Sequence, residues 1–480
     1  MKEHPLRKRV INAFLWLSTG TIFIQAISWV STIIVIRLLT PSDYGLMAMA
    51  LPIIFFIQML SSWGFGMALV QDKNLNDTQI RGLLGFIIVV FLSSFVIINL
   101  TAPLIASFFH EIKLISLLQL LSINLILMIF YVIPDAMFFR EMDFRTKTKV
   151  EISSRLVASI VAPVCAFNSM GVWSLAIAEI CLHITRSIHF NLAFQRWYIP
   201  SFRFKECKHL IKYGLTITGT NVFTYIFNQA DKIIVGRVLG KDLLGLYSVS
   251  FNLALIPKEK IIPIVTQLSF STYSKIQDNA ERIRSSLLMT IEAISFVAFP
   301  LFWGMASIAN EAIPLILGPN WIKATIPFQY LCIIIPLLSI SPIYPSVLNA
   351  IGRQEVVFVN SIIEALIMTL AILLGVRFGL IGVCITWIYF FPITFFVISQ
   401  RSLNSIQLGL LDLLAKFKFP VLASLTMALS IGIIKKLLAA YTDPSLLLIL
   451  VVLVGVIIYT LLVFMFKKDF LLDMKFIFRK

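Results

Sequence analysis

Charged residues lie inside the most apolar stretches of this chain. One compact group is Lys258, Glu259 and Lys260, which Pro257 and Pro263 bracket. An ionisable side chain at the centre of a membrane helix costs about 2.5–3.5 kcal/mol on insertion scales, so it marks a candidate site. Ammonium groups donate strong hydrogen bonds to phosphate oxygens, so these cations suit an anionic ligand. We predict that this segment is a broken helix lining a polar cavity.

Two sets of candidate residues follow from the same argument. Those assigned to ligand binding are Lys258, Lys260, Lys232, Arg186, His183, Arg37 and Arg237. Those assigned to charge balance or ion coupling are Asp231, Glu179, Glu292, Glu259 and Glu364. Glu179, His183 and Arg186 stand at i, i+4 and i+7, which places this stripe on one helix face. The sequence indicates no catalytic residue.

Several of these charges have a structural alternative. Arg37 and Arg237 lie within a turn of predicted helix ends, where long side chains reach the interface by snorkelling. Lys435 and Lys436 lie within two turns of a predicted helix end and are expected to snorkel for the same reason. Glu151 and Arg155 are four residues apart and are expected to form a structural ion pair. The stripe that contains Glu179 has the alternative role of locking helices together.

The composition predicts an all-α polytopic membrane protein. Of 480 residues, 59% are hydrophobic and 13% are charged, whereas soluble domains are about 45–50% apolar and about 25% charged. The formal net charge of +16 does not indicate a nucleic-acid partner, because Lys and Arg lie in short segments between apolar runs. The five cysteines are isolated and show no metal-ligand spacing.

Fourteen apolar runs are long enough to cross a bilayer, which takes about 20 residues. The predicted spans are 13–39, 44–70, 82–108, 114–138, 149–168, 171–195, 209–239, 243–274, 285–309, 324–350, 355–376, 378–399, 415–440 and 444–466. The basic start of the chain is typical of a signal peptide, but the run 13–39 is too long for a signal core. It is expected to stay as the first helix.

The loops alternate between basic and nearly uncharged. With the N-terminus in the cytoplasm, Lys and Arg fall mainly in inside segments, and the outside loops hold only Lys113, Lys241, Lys323 and Arg377. Basic loops stay on the cytoplasmic side. Both termini are therefore predicted to be cytoplasmic.

The chain contains an internal repeat. Residues 33–46 align without gaps on residues 233–246, and seven of the fourteen positions are identical, among them Arg37/Arg237 and Gly45/Gly245. A second match has an offset of 211 residues, with Pro134, Phe167, Gly171 and Val172 over Pro345, Phe378, Gly382 and Val383. Parallel repeats of this kind are a transporter architecture.

The repeat predicts the domain organisation. Residues 1–200 form a lobe of helices 1–6, residues 201–400 form a lobe of helices 7–12, and residues 401–480 hold helices 13–14 and a cytoplasmic tail. Two six-helix lobes related by pseudo-symmetry can rock to expose a substrate path to each side in turn.

Several short segments resemble one family of membrane transporters. They are residues 228–240 (NQADKIIVGRVLG), 244–247 (LGLY), 40–45 (TPSDYG), 140–145 (REMDFR), 171–174 (GVWS), 317–321 (LGPNW) and 352–353 (GR). The chain resembles the Wzx-like polysaccharide-transporter flippases, of the colanic and teichuronic acid type. These belong to the multidrug/oligosaccharidyl-lipid/polysaccharide exporter superfamily.

The resemblance implies a function and a partner. It implies a MATE-like fold of two lobes and a terminal helix pair, in a bacterial inner membrane. The cargo would be an undecaprenyl-pyrophosphate-linked oligosaccharide repeat unit for O-antigen, capsule or exopolysaccharide assembly. The ligand-binding residues above would then hold the pyrophosphate and sugar, and the acids would balance them or carry a proton or sodium ion. No cofactor is expected, and a polymerase and chain-length machinery are further expected partners.

Two other functions compete with this interpretation. A multidrug exporter of the same superfamily would take organic cations, which favour an acidic cavity rather than grouped cations. A polysaccharide polymerase or ligase would be an enzyme with a large external loop, whereas the longest outside loop, 310–323, carries only Glu311 and Lys323 as charges. A nucleotide-driven pump is disfavoured because the sequence has no GxxxxGK[ST] phosphate loop.

Overall fold

The computed structural model describes residues 24–25, 27–72, 75–438 and 443–467, and this part of the chain is built from helices. The proposed retained start of the first helix before residue 24 and the predicted cytoplasmic tail after residue 467 lie outside the described residues. The helices are α1 (Ile27–Leu38), α2 (Pro41–Gln71), α3 (Asp77–Phe109), α4 (Lys113–Ile129), α5 (Val132–Arg140), α6 (Phe144–Phe167), α7 (Val172–Phe194), α8 (Lys208–Lys275), α9 (Ala280–Leu317), α10 (Thr325–Ile340), α11 (Ile343–Ala350), α12 (Gln354–Gly375), α13 (Gly379–Asn404), α14 (Leu410–Leu438) and α15 (Pro444–Phe466).

Eight helical segments of the described part, or nine if one bent pair counts as a span, are long and apolar enough to cross a membrane. The all-α, polytopic fold is therefore confirmed, while the number fourteen stays a prediction. The predicted boundary between spans 209–239 and 243–274 falls inside α8. There Gly240 leaves the helical conformation with φ 79° and ψ 179°, a region that favours glycine.

Local sequence signals set the start of α2 and α3. Thr40 accepts a hydrogen bond from the Asp43 backbone N–H at 3.3 Å, and the Asp43 carboxylate accepts one from the Thr40 backbone N–H at 3.0 Å. Asn76 and Gln79 form the same reciprocal arrangement at the start of α3. Such capping boxes satisfy backbone donors that a helix leaves free.

Helix breaks recur at the predicted offset of 211 residues. The pair α4 and α5 is interrupted at Phe130–Tyr131, and the pair α10 and α11 is interrupted at Ser341–Pro342. The first pair is bent by 47°, whereas the second lies within a single candidate span, Pro319–Ala350. The shared position of the break supports the repeat.

The paired glycines of the first offset make reciprocal contacts. A Cβ atom added to Gly45 would lie 1.8 Å from the Lys241 carbonyl oxygen, and one added to Gly245 would lie 1.8 Å from the Pro41 carbonyl oxygen. Pro41 and Lys241 are themselves equivalent at offset 200. Two copies of one segment therefore touch through the same two positions, as in an isologous interface.

The chain divides into two compact units, residues 1–245 and 246–480. In the first, a buried cluster joins α1 to α6 and α7 through Val35, Leu39, Ala162, Ala166 and Ala178. In the second, α14 and α15 pack through Met427, Ile431, Leu447 and Val451. The predicted division at residues 200 and 400 stays a prediction.

Helices α9 and α14 are joined by two ion pairs. Lys416 Nζ lies 2.6 Å from Glu292 Oε2, and Lys435 Nζ lies 2.7 Å from Glu311 Oε2. The two glutamates are 19 residues apart and so are the two lysines, which is about 28 Å along each helix. Since the pairs occur in the same order, the two helices run parallel. We define these contacts as the α9–α14 ion pairs.

Candidate functional site

The predicted stripe on α7 faces the break between α4 and α5. Tyr131 Oη lies 2.8 Å from His183 Nδ1, and the two rings stack with centroids 6.0 Å apart. The other ring nitrogen of His183, Nε2, lies 3.5 Å from Glu179 Oε1. His183 is only 4% exposed. The histidine is therefore held between a phenol and a carboxylate inside the first unit.

Side chains of α7 also satisfy the backbone at this break. Ser187 Oγ donates a hydrogen bond to the Leu127 carbonyl oxygen at 2.9 Å, and Asn191 Nδ2 donates one to the Phe130 carbonyl oxygen at 2.8 Å. Carbonyl groups freed by a break inside a membrane must find protein partners. We refer to the Tyr131, Ser187 and Asn191 hydrogen bonds as the α7 stitches.

Arg186 extends the network to α6. Its Nη2 atom lies 2.7 Å from Glu151 Oε2, and Arg155 Nε lies 2.6 Å from Glu151 Oε1. The predicted Glu151–Arg155 pair is confirmed, and Arg186 shares its carboxylate. These contacts favour the alternative in which the stripe locks helices together.

The candidates near residue 235 lie in the first unit. Asp231 is 5% exposed and accepts a hydrogen bond from the Lys232 backbone N–H at 2.8 Å. Arg237 makes a hydrogen bond to His110, and its guanidinium carbon lies 5.3 Å from the centre of the Phe108 ring. This contact with the end of α3 anchors Arg237. The side chain of Arg37 is exposed.

The prediction of a broken helix at Pro257–Pro263 is wrong. The structure is helical from residue 241 to residue 275, including both prolines. A proline removes one helical hydrogen bond, a loss that membrane helices tolerate when neighbouring groups compensate.

The helix separates the three charges because neighbouring side chains point about 100° apart. Lys258 is half-buried and lines a cavity of the second unit, whereas Glu259 and Lys260 are exposed. Of the predicted triplet, only Lys258 reaches this cavity.

The two remaining acids of the second unit have cationic neighbours. Glu292 is 7% exposed and is paired with Lys416, while Lys467 Nζ lies 3.6 Å from its Oε1 atom. Glu364 on α12 interacts electrostatically with Lys258. Glu292 therefore balances two lysines that sequence analysis did not associate with it.

Two more features of the charged residues bear on the candidate sites. Lys435 and Glu311 are 17% and 15% exposed in their ion pair, so the expectation that Lys435 snorkels is wrong. Within the described ranges, no group of three or more His, Cys, Asp or Glu residues is placed to hold a metal ion.

A family model described as "Polysaccharide biosynthesis protein" matches residues 34–326. The chain belongs to this family. The match includes every candidate site residue except Glu364. The family and the helices of spanning length together identify a multi-pass membrane protein.

Two curated bacterial proteins are similar to this chain. The lipopolysaccharide biosynthesis protein WzxC of Escherichia coli (strain K12) is 26% identical over 394 residues, which are 79% of this chain and 77% of WzxC. The teichuronic acid biosynthesis protein TuaB of Bacillus subtilis (strain 168) is 24% identical over 386 residues, which are 80% of each chain.

Solved structures show the same fold. The lipid II flippase MurJ in an inward closed conformation matches with a TM-score of 0.77 at 16% identity, over 95% of this chain and all of MurJ. An inward-facing multidrug resistance transporter of the MATE family matches with a TM-score of 0.63 at 14% identity, over 82% of this chain and 98% of that one. The MATE-like fold predicted from the sequence is confirmed.

Proposed function

We propose that this protein is a flippase for undecaprenyl-pyrophosphate-linked oligosaccharide repeat units. It moves them from the cytoplasmic to the outer leaflet of the bacterial inner membrane, for assembly of O-antigen, capsule or exopolysaccharide. The family match over residues 34–326 carries the proposal. The names of relatives add support, since they include a succinoglycan biosynthesis transport protein of Rhizobium meliloti (strain 1021).

The mechanism is alternating access, in which the cargo site opens to one leaflet at a time. The protein does no covalent chemistry on the cargo and acts as a transporter rather than an enzyme. Lipid-linked oligosaccharide and membrane lipid are its partners, and a polymerase with chain-length machinery receives the product. A proton or sodium gradient drives the cycle, with Asp231, Glu179 or Glu364 as the coupling acid.

Lys258 is the first candidate for the pyrophosphate, because it is a half-buried cation in a cavity wall. Lys232 is the second candidate, because it is a half-buried cation in the segment 228–240 that carries the family resemblance. The guanidinium of Arg186 already binds Glu151. It therefore contributes to the site only if that pair exchanges partners during transport.

The test compares two lysines of the same helix. Purified Lys258→Gln and Lys260→Gln variants are assayed in vesicles for flipping of a fluorescent lipid-linked oligosaccharide. Truncating a buried charged partner costs about 2–5 kcal/mol, so Lys258→Gln should slow flipping at least about thirtyfold. Lys260→Gln should stay within about twofold of the native protein, since its side chain lies outside the cavity.

Equal losses in the two variants would contradict the assignment of the phosphate to Lys258. An absence of flipping by the native protein, together with efflux of organic cations, would replace the proposed function with multidrug export. That alternative is tested because the MATE transporter has the same fold.

The orientation is tested with reporter fusions. Fusions after Lys205 and Ile276 should report the cytoplasm, and fusions after Asp242 and Asn320 should report the outside. The reason is that the loops placed outside are nearly free of Lys and Arg. A reversed signal at any one of these positions would contradict the proposed orientation, with both termini in the cytoplasm.

A further inference from the structure

The second unit contains an apolar cavity of about 430 Å³ between α8, α9 and the end of α10. Most of its wall is aliphatic or aromatic, and Lys258 is the one charged residue in it. The lining residues used below are Lys258, Val265, Ser269, Ser286, Thr290 and Ala293.

The cavity is elongated and its two ends differ. On α8 the wall runs from Lys258 to Ser269, which is eleven residues or about 16 Å of helix. Ser269, Ser286 and Thr290 lie toward the other end, where Tyr273 Oη donates a hydrogen bond to Thr290 Oγ1 at 3.1 Å. Between the ends the wall offers contacts to hydrocarbon and almost no hydrogen-bonding groups.

Lys258 has no direct anionic partner in this position. Among the residues that the structure describes, its ammonium group makes no hydrogen bond and no ion pair, although the carboxylates of Glu259 and Glu364 act on it electrostatically. Removing an ammonium group from water without a partner is unfavourable. A bound anion would supply that partner.

We infer that this cavity binds the phosphate-proximal isoprenoid segment of the lipid carrier, with its phosphate at Lys258. The inference rests on the proposed function and adds to it a binding site for the isoprenoid chain of the lipid carrier. A phosphate matches the unpaired cation, and the hydrocarbon next to it matches the apolar wall. A sugar would leave its hydroxyl groups without partners there, and an organic cation would be repelled by Lys258.

The test uses a polyprenyl phosphate that carries a photoreactive diazirine in its first isoprene unit, with the full-length protein in lipid nanodiscs. Labelling mapped by mass spectrometry should fall on peptides that contain Val265 and Ala293. Unlabelled polyprenyl phosphate in excess should reduce this labelling at least about fivefold, and phosphatidylglycerol should not. Leu429, which is 61% exposed on α14, serves as a lipid-facing reference whose labelling is not competed.

Separate variants test the contribution of the apolar wall and that of the Lys258 charge to binding. Ala293→Phe fills the cavity and should reduce competed labelling about tenfold, whereas Leu429→Phe adds the same ring outside it and should have no effect. Lys258→Met keeps the side-chain length without the charge, and should make labelling insensitive to whether the probe ends in a phosphate or an alcohol. This comparison remains informative if Ala293→Phe fails to fold.

Several outcomes would overturn the inference. They are competition by phosphatidylglycerol as strong as that by polyprenyl phosphate, labelling no higher than at Leu429, and unchanged competed labelling in a folded Ala293→Phe variant. The flipping assay distinguishes this failure from failure of the proposed function. If polyprenyl phosphate competes for labelling but no flipping occurs, the cavity site is supported and the flippase proposal is contradicted. If flipping occurs but polyprenyl phosphate does not compete for labelling, the flippase proposal is supported and the cavity site is contradicted.

Discussion

The α4–α5 break and the α10–α11 break occupy equivalent positions of the repeat but are held in different ways. At the first break, the α7 stitches connect the chain to a neighbouring helix. At the second, the positions equivalent to Tyr131, Ser187 and Asn191 are Pro342, Ile398 and Ser402. Ser402 accepts a hydrogen bond from Asn360 Nδ2 at 3.0 Å instead of bonding the break.

The difference shows what duplication kept and what it changed. Both copies keep an interruption in the fourth helix. One copy satisfies the freed backbone groups with a polar helix face and is bent by 47°. In the other, Pro342 itself lacks a backbone N–H that would need a partner.

The largest effect is expected from removing all the α7 stitches. The variant Tyr131→Phe/Ser187→Ala/Asn191→Leu loses three hydrogen bonds between helices. Such bonds contribute about 0.6 kcal/mol each on average and up to about 1.7. The free energy of unfolding should therefore fall by about 2 kcal/mol, measured by thermal unfolding of the purified protein.

The matched control for the stitches is Thr394→Val in the second repeat, at the position equivalent to His183. Its hydroxyl donates within α13 to the Phe390 carbonyl oxygen at 2.8 Å. The expected loss is under about 0.5 kcal/mol, since such bonds within a helix add little. If Thr394→Val lowered the free energy of unfolding as much as the triple variant does, the two breaks would not differ in how they are held.

An intermediate effect is expected from His183→Leu. It removes one partner from Tyr131 and one from Glu179, and an unmade hydrogen bond of this kind costs about 1 kcal/mol or more. Adding Tyr131→Phe should then lower the free energy of unfolding by less than it does in the native protein, because the phenol has already lost its contact with His183. Additive losses in the double-mutant cycle would show that the 2.8 Å contact has no energetic weight.

The smallest effect is expected from Pro342→Ala. Alanine can adopt the same φ of −67°, so the change acts mainly by giving the unfolded chain more freedom, at about 0.5 kcal/mol. Thermal unfolding should detect a small shift. A loss of about 2 kcal/mol would mean that the second break depends on its proline as much as the first depends on its stitches.

Much of the fold could be predicted from the sequence, because lipid imposes long apolar runs and duplication leaves paired residues. Gly45 and Gly245 indicated a repeat, and their reciprocal contacts explain why a side chain is excluded at both. The helical continuity across Pro257 and Pro263 was not predictable, since the prolines gave no information about the packing around α8.

The candidate site was less predictable because sequence spacing describes one helix at a time. It placed Glu179, His183 and Arg186 on one face of α7, yet it did not indicate Tyr131, which comes from a different part of the chain. Glu292 and Lys416 are 124 residues apart, and no periodicity connects them.

The α9–α14 ion pairs have a consequence for the surrounding bilayer. Their separation of about 28 Å along each helix is close to the hydrocarbon thickness of about 30 Å. In a membrane of different thickness, the helices must tilt or slide past one another, or the bilayer must become thinner or thicker around them. Because the two helices are joined at two depths, α14 cannot slide along α9, so the two helices respond to hydrophobic mismatch as one unit, by tilting together or by local thinning of the bilayer.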